Sequence, residues 1–407
     1  MVDRQKLITA VDKACGWMAF VSQHREESLP PCSRSGRMLH KTWKGAFKGE
    51  YTARSKEWEM FCPIWHTGQG VAALADGYLL TGKTEYLDSA KMGAEFILRE
   101  RYSDPNHKHY GLIWGIEDYD DCLNTSATME CQKGLWALLK LTNDERYSQA
   151  IINQCAWIKK YAYLGGGHMY DHFCLSNDTM WEHDRQLNGA PVDGKPARAG
   201  RPLAEDAVFL KAYQISGDES FKKIFYETVD YLCENEYPEG TWAQYPPCYI
   251  KSGKVHPRHS YWWGLPMYYA YLDSGDEKYY ECMKRCGEWY LKGVRRDGGH
   301  FRGTYTDFST DSFGHETSGA LCASILWEHL HKLDKDPKWH EAAARSLNFA
   351  MGVQFIEPED KNLKGAILEK VLHPEGSDSS PYHLRDLGTI FFVQAAAAYL
   401  GEGGDNV

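Results

Sequence analysis

Several features are missing from this 407-residue chain. It has no apolar run of about 18 residues, the length of a membrane-spanning helix, so no membrane partner is expected. It has no basic run. Lys and Arg number 46 against 56 Asp and Glu, a formal charge of −10, and without clustered cations a nucleic-acid partner is not expected. Its 12 cysteines contain no CxxC pair, so their spacing shows neither a zinc ribbon nor a disulfide framework. The first residues, 1–20, are interrupted by acids and lack the apolar core of a signal peptide. Reduced thiols in a cytoplasm fit these features, and so does the mature form of an exported protein. No Pro/Ser-rich linker divides the chain, so residues 1–407 read as one domain. The oligomeric state has no signature.

What is present is aromatic: 14 Trp and 26 Tyr. Flat amphipathic rings suit sugar stacking, and in a helical protein most of them also serve as core.

A repeat organises the chain. The stretches LLTGKTEYLDSA, LKLTNDERYSQA, YQISGDESFKKI, YLDSGDEKYYEC and HKLDKDPKWHEA each close an apolar helix, turn, and open another. Their Gly or Asn suits a helix C-terminus, and the Asp, Ser or Thr that follows suits the next N-cap. The pattern predicts first helices over 66–82, 124–141, 202–215, 259–274 and 313–333. It predicts second helices over 84–100, 145–161, 218–234, 276–293 and 337–352. Segments 4–23 and 385–400 would pair the chain ends as a sixth hairpin. Six hairpins in a ring make an all-α fold, an (α/α)6 barrel, with the first helices inside. First-to-second turns take about four residues, whereas second-to-first connections are long and emerge on one face, where long loops usually carry function.

The entrances of the inner helices all carry polar groups on that face. They are Trp65, His66 and Gln69; Asn124 and Ser126; Arg201, Glu205 and Asp206; His256, Arg258, His259, Tyr261, Trp262 and Trp263; His315 and Glu316; and Tyr382, His383, Arg385 and Asp386. N-capping explains residues such as Asn124, Ser126 or Asp311 singly, but not His66, His259, His383, Trp65 and Trp262 as a set. The loops add Arg296, His300, Arg302 and Tyr305, then His109, Tyr110 and Trp114, then His168, Trp181 and His183.

Several chemistries are disfavoured. Pro257 opposes a helical His256–His259 zinc pair, so no metal is expected, and no cofactor. LGGGH at 164–168 lacks the GK[ST] of a phosphate loop, and no GxSxG elbow occurs. DYDD at 118–121 matches the DxDD acid of class II terpene cyclases, but it reads as a solvated loop.

Three sugar chemistries remain. Hydrolysis needs two facing carboxylates, from among Glu205, Asp206, Glu316 and Asp386. Epimerisation needs two bases, such as His259 and His383. β-Elimination of a uronic acid needs a group to offset the carboxylate, a base and a proton donor. Asn124, the histidines, Arg296 or Arg302, and Tyr305 supply those types.

FKGEYT, IWHTGQG, LNTSA and RPLAEDAVFLKAY resemble the uronate-polymer lyases of polysaccharide lyase family 38. The resemblance implies an (α/α)-barrel lyase acting on alginate or glucuronan. In it Asn124 polarises the carboxylate, His259 is base or carboxylate partner, Tyr305 is proton donor and Arg302 binds the uronate. Trp65, His66, Gln69, Glu205, His256, Trp262, Arg296, His300, Glu316, His383 and Arg385 are then expected to bind substrate. HPRHSYWWG and SPYHLRD also resemble the two histidine segments of the N-acylglucosamine 2-epimerase family. Here Trp262 stands where that family has a Glu after its first histidine, and Gln69 where it has an arginine. A glucuronidase-type hydrolase and a sugar epimerase are therefore the alternatives to a lyase.

Overall fold

The tandem motifs fold into helical hairpins arranged as an (α/α)6 barrel. The structure is a computed structural model that describes residues 1–29, 38–117, 121–181, 200–248, 253–311, 316–369 and 382–402. In chain order the helices are α1 Arg4–Trp17, α2 Pro63–Thr81, α3 Thr84–Arg99, α4 Thr125–Glu130, α5 Gln132–Thr142, α6 Glu145–Tyr161 and α7 Val208–Ser216. They continue with α8 Glu219–Glu234, α9 Pro266–Ser274, α10 Glu277–Gly293, α11 Thr317–Asp334, α12 Pro337–Gly352 and α13 Leu387–Leu400.

The inner helices α2, α4–α5, α7, α9, α11 and α13 follow one another around the ring, and α13 closes it by packing on α2 and α11. α1 packs on α13 and α2, which joins the two ends of the chain. Burial separates the two rings. In α13 every residue from Leu387 to Ala397 is buried. α8 buries only Phe221, Ile224, Phe225, Thr228, Val229 and Leu232, the single stripe of an outer helix.

The short turns are tighter than the sequence suggests. Asn143-Asp144, Gly217-Asp218, Gly275-Asp276 and Lys335-Asp336 each make the whole connection. The first residue is left-handed and ends the inner helix. The Asp then caps the outer helix by accepting the N–H of Arg146, Ser220, Lys278 or Lys338, at 2.9–3.0 Å. Such a cap is worth about 1 kcal/mol.

The inner helices touch backbone to backbone where glycine allows it. A Cβ on Gly68 of α2 would lie 2.2 Å from Cys131 Cα, and one on Gly134 of α5 would lie 2.4 Å from the Gly68 carbonyl oxygen. Most of the aromatic excess is core: Trp17, Trp43, Trp242, Trp263, Trp327 and Trp339 are fully buried.

The long connections are not bare loops. They hold short strands: β1 Gly49–Thr52, β2 Glu57–Met60, β3 Cys122–Asn124, β4 Tyr163–Gly165, β5 His168–Met169, β6 His172–Cys174, β7 Thr179–Met180, β8 Lys254–Val255, β9 Thr304–Tyr305 and β10 His383–Arg385. The sheets run β10-β1-β2, β3-β6-β7, β4-β5 and β8-β9, and every pairing is antiparallel. The all-helical pattern gave no sign of them, because strands this short leave no readable alternation.

Candidate functional site

The predicted helix starts shift where the site lies. α4 and α5 break at Cys131. The third inner helix begins with a 3₁₀ turn, Glu205–Ala207, and the fourth with a π-helical turn, Ser260–Gly264. Asp206 and Ala207 are both left-handed (φ 52° and 50°), which costs about 1–3 kcal/mol each without glycine. The Asp206 carboxylate holds this turn by accepting from the Tyr261 hydroxyl and, at 3.3 Å, from Gln69 Nε2, with Lys133 Nζ at 3.4 Å. Gln69 also bonds Tyr261 at 2.6 Å and the Glu130 carbonyl at 2.8 Å. It is fully buried and braces the floor of the site.

The strained turn carries Glu205 against Ser126, whose Oγ lies 2.7 Å from Glu205 Oε1 and 3.1 Å from Glu130 Oε1. A hydroxyl has one hydrogen, so a carboxyl proton must complete this trio. Burial raises Glu205 to about 7. Burial and the neighbouring acids, Glu205 first, raise Glu130 well above the ordinary carboxylate range. Trp262 Nε1 donates to Glu130 Oε1 at 3.0 Å, and its ring lies 5.3 Å from that of His256.

Beside this trio sits a cation–carboxylate cluster. Arg258 NH1 donates to Glu316 Oε1 (2.8 Å) and Ser318 Oγ (3.1 Å), with Glu369 Oε1 at 3.6 Å. Its guanidinium lies over Trp65 and Trp262, 5.5 and 5.6 Å from the ring centres. Arg302 NH1 donates to Glu316 Oε2 at 2.9 Å, and His256 Nε2 lies 3.8 Å from Glu316 Oε1. Burial and the Arg258 and Arg302 charges hold His256 neutral. Glu369 accepts Ser318 N–H and Oγ, both at 2.7 Å, and burial with Glu316 nearby raises it to about 7.

The β1–β10 pairing sets Glu50 opposite Arg385. Glu50 accepts from Arg385 Nε at 2.8 Å and bonds His383 Nε2 at 3.1 Å. Burial pushes its pKa up, but those two partners outweigh burial and hold it down at about 2. Asp386, the next residue, binds His66 Nδ1, fixing that ring with Nε2 as its second nitrogen.

Asn124 lies on the same rim. Its Oδ1 caps α4 by accepting Ala127 N–H (2.9 Å), which leaves the amide nitrogen 3.4 Å from His172 Nε2. Asp171 holds Arg201 through two bonds, 2.7 and 3.2 Å.

The buried polar atoms without a hydrogen-bond partner include Trp65 Nε1, His66 Nε2, Glu130 Oε2, Glu205 Oε2 and Arg258 Nε.

Other predicted residues lie apart from this group. His259 turns toward the outer helix α10: its Nδ1 meets His256 O (2.9 Å) and Tyr290 OH (3.0 Å), and burial lowers it to about 4. His300 also packs on Tyr290, with ring centres 5.4 Å apart, and burial lowers it to about 4. The fourth helix entrance thus sets one histidine, His256, beside Glu316 and packs the other on Tyr290. Tyr305 stands on β9, which pairs with β8, and donates to Asp311 at 3.1 Å. Arg296 is exposed. His109 and Tyr110 anchor a loop on α6 through Trp157 and Asn153. His183, His315 and residues 118–120 of DYDD lie outside the described residues.

The sequence reading missed His172, Glu50, Glu130 and Glu369. His172 lies inside a loop already suspected for His168 and Trp181. Glu369 is an acid directly after the buried run Ala366–Leu368, a weak signal but a readable one. Among the described residues, Asp121, Cys122 and Cys174 form a group whose metal-ligand-type atoms all lie within 4.8 Å of one another. No described helix is long and apolar enough to cross a membrane.

No protein-family model and no curated protein matches the chain. Solved structures do. A D-mannose isomerase superposes with TM-score 0.67 at 11% identity, covering 98% of both chains. An unsaturated glucuronyl hydrolase specific for heparin gives 0.67 at 13%, again over 98% of both. The cellobiose 2-epimerase of Spirochaeta thermophila gives 0.63 at 13%, over 97% of both. At these identities the likeness establishes the (α/α)6 barrel; these neighbours are all sugar-processing enzymes.

Proposed function

We propose that this protein is a carbohydrate-active enzyme working at the open face of the barrel on an acidic saccharide. Its reaction is β-elimination in a uronate polymer such as alginate or glucuronan. One observation carries the reading: the amide nitrogen of Asn124, fixed by its capping oxygen, lies beside His172 Nε2. A uronate carboxylate set against that pair would gain donors as charge develops on loss of the C5 proton, which is where preorganised donors lower a barrier. Arg302, about a third exposed and already on Glu316, supplies a cation at the same rim. The lyase resemblance implies Tyr305 as proton donor; in the structure it stands apart from this pair, on Asp311, so the reading does not rest on it. The sugar chemistry of the structural neighbours supports a saccharide ligand.

A second reading has its own support. Glu205, raised to about 7, suits the general acid of a glucuronyl hydrolase. Epimerisation by His259 and His383 fits less well, because His259 faces Tyr290 and His383 faces Glu50.

Asn124→Asp separates the roles of this side chain. Aspartate caps a helix as well as asparagine does, so the fold should hold, but the amide donor is replaced by a second negative charge. The expected result is at least a ~100-fold fall in turnover with an unchanged melting temperature. Near-full activity would overturn the assignment.

A further inference from the structure

Cys122 and Cys174 are 52 positions apart in sequence (174 − 122) and directly opposite in space. They are partners in the antiparallel pairing of β3 with β6. Leu175 N–H bonds the Asp121 carbonyl at 2.8 Å, so the hydrogen-bonded pair is Asp121 with Leu175. Cys122 and Cys174 therefore form a non-hydrogen-bonded pair. In such pairs the Cα atoms approach to about 4.5 Å and both side chains leave the same face. That spacing falls within the ~4.4–6.8 Å a disulfide spans. The two sulfurs are within 4.8 Å of each other. Both residues are buried, but the turn that follows Cys174 is exposed from Ser176 to Thr179.

We propose that Cys122 and Cys174 are a reversible oxidation site, a dithiol that closes to a disulfide across β3 and β6 on reaction with a peroxide. The surroundings favour Cys174 as the sulfur that reacts first. Its Sγ lies 3.2 Å from Ser176 Oγ. Burial works against its thiolate, but donors from Ser176, Trp181 and Asn177 outweigh burial and lower its pKa. Cys122 is different: burial and the Asp121 charge push its thiol up.

The steps balance. The Cys174 thiolate attacks one peroxide oxygen and the O–O bond breaks, giving a sulfenic acid and hydroxide. Cys122 sulfur then attacks Cys174 sulfur, the S–O bond breaks, and the hydroxyl leaves as water with the Cys122 proton. Peroxide is reduced by two electrons and two thiols are oxidised to one disulfide. The closed bond would lie one pair beyond Leu123–Phe173 from Asn124–His172, on the same face of the same two strands.

The test maps thiols in the full-length protein. Reduced protein is treated with hydrogen peroxide, alkylated and digested. The expected result is one Cys122–Cys174 cross-linked peptide, removed by dithiothreitol. In Cys122→Ser the expected product is a sulfenic acid at Cys174, trapped by dimedone; in Cys174→Ser, Cys122 stays alkylatable. Both thiols remaining alkylatable in treated wild-type protein would overturn the proposal without any variant. So would one tightly held Zn²⁺ per reduced chain that is lost in Cys122→Ser, because the group with Asp121 would then be a metal site.

Discussion

The Asn124 amide nitrogen lies 3.4 Å from His172 Nε2, across the pairing of β3 and β6. Two adjacent loops of the ring meet there, one entering α4 and the other leaving α6. Neither residue reaches the other except through this small sheet, so the sheet assembles the pair.

That coupling can be measured. His172→Ala should cut turnover by about 100-fold and leave the α4 cap intact. Combined with Asn124→Asp, the losses should fall well short of the product of the two, as for groups acting on one carboxylate. Multiplicative losses would mean that the two act separately.

Glu205→Gln should alter the pH dependence of stability. A carboxyl raised to about 7 in the fold and at about 4.5 when unfolded binds its proton more tightly in the native state. Wild-type stability from this group is therefore highest below pH 4.5 and is lost as pH rises to 7. The glutamine variant lacks that loss. Urea midpoints should show it gaining on wild type between pH 5 and 8 by ~1–3 kcal/mol. Parallel curves would place the Glu205 proton elsewhere.

Glu50→Gln should act in the opposite direction. The fold holds Glu50 at about 2, so its stabilisation is present above pH 4.5 and is lost as pH falls toward 2. Removing one partner of a buried ion pair costs about 3–5 kcal/mol. The deficit of the variant at pH 7 should shrink when both proteins are unfolded at pH 4. A constant deficit would mean that packing, and not charge, is lost.

Gly68→Ala tests the closeness of the inner ring. The added methyl meets the Cys131 backbone at 2.2 Å, and backbone cannot rotate away as a side chain can. Destabilisation of ~1–3 kcal/mol or more is expected. The contrast is Gly217→Ala, which meets nothing within 4 Å and is strained only by its φ of 73°. Equal melting temperatures for Gly68→Ala and wild type would contradict the packing described for α2 and α5.

The ring was legible because its turns are written locally: Gly217-Asp218 and Gly275-Asp276 end one helix and cap the next with their own side chains. Of the polar entrances, Trp262 lies beside His256, and His256 beside Glu316. The direction of each side chain was not legible. His256 faces Glu316 while His259 faces Tyr290, and no spacing rule separates the two. His172, Glu50 and Glu369 take their places through pairings distant in sequence: His172 with Asn124, Glu369 with Ser318, and Glu50 with Arg385, the last joining the two ends of the chain. A pattern of local periodicity does not carry such pairs.

The most direct measurement is ultraviolet absorbance during incubation of the purified protein with alginate and glucuronan. Elimination leaves a C4–C5 double bond conjugated with the carboxylate, so the account predicts a rising signal in wild type that Asn124→Asp abolishes. New reducing ends without absorbance would contradict it, and would assign the chemistry to Glu205 and its carboxylate neighbours.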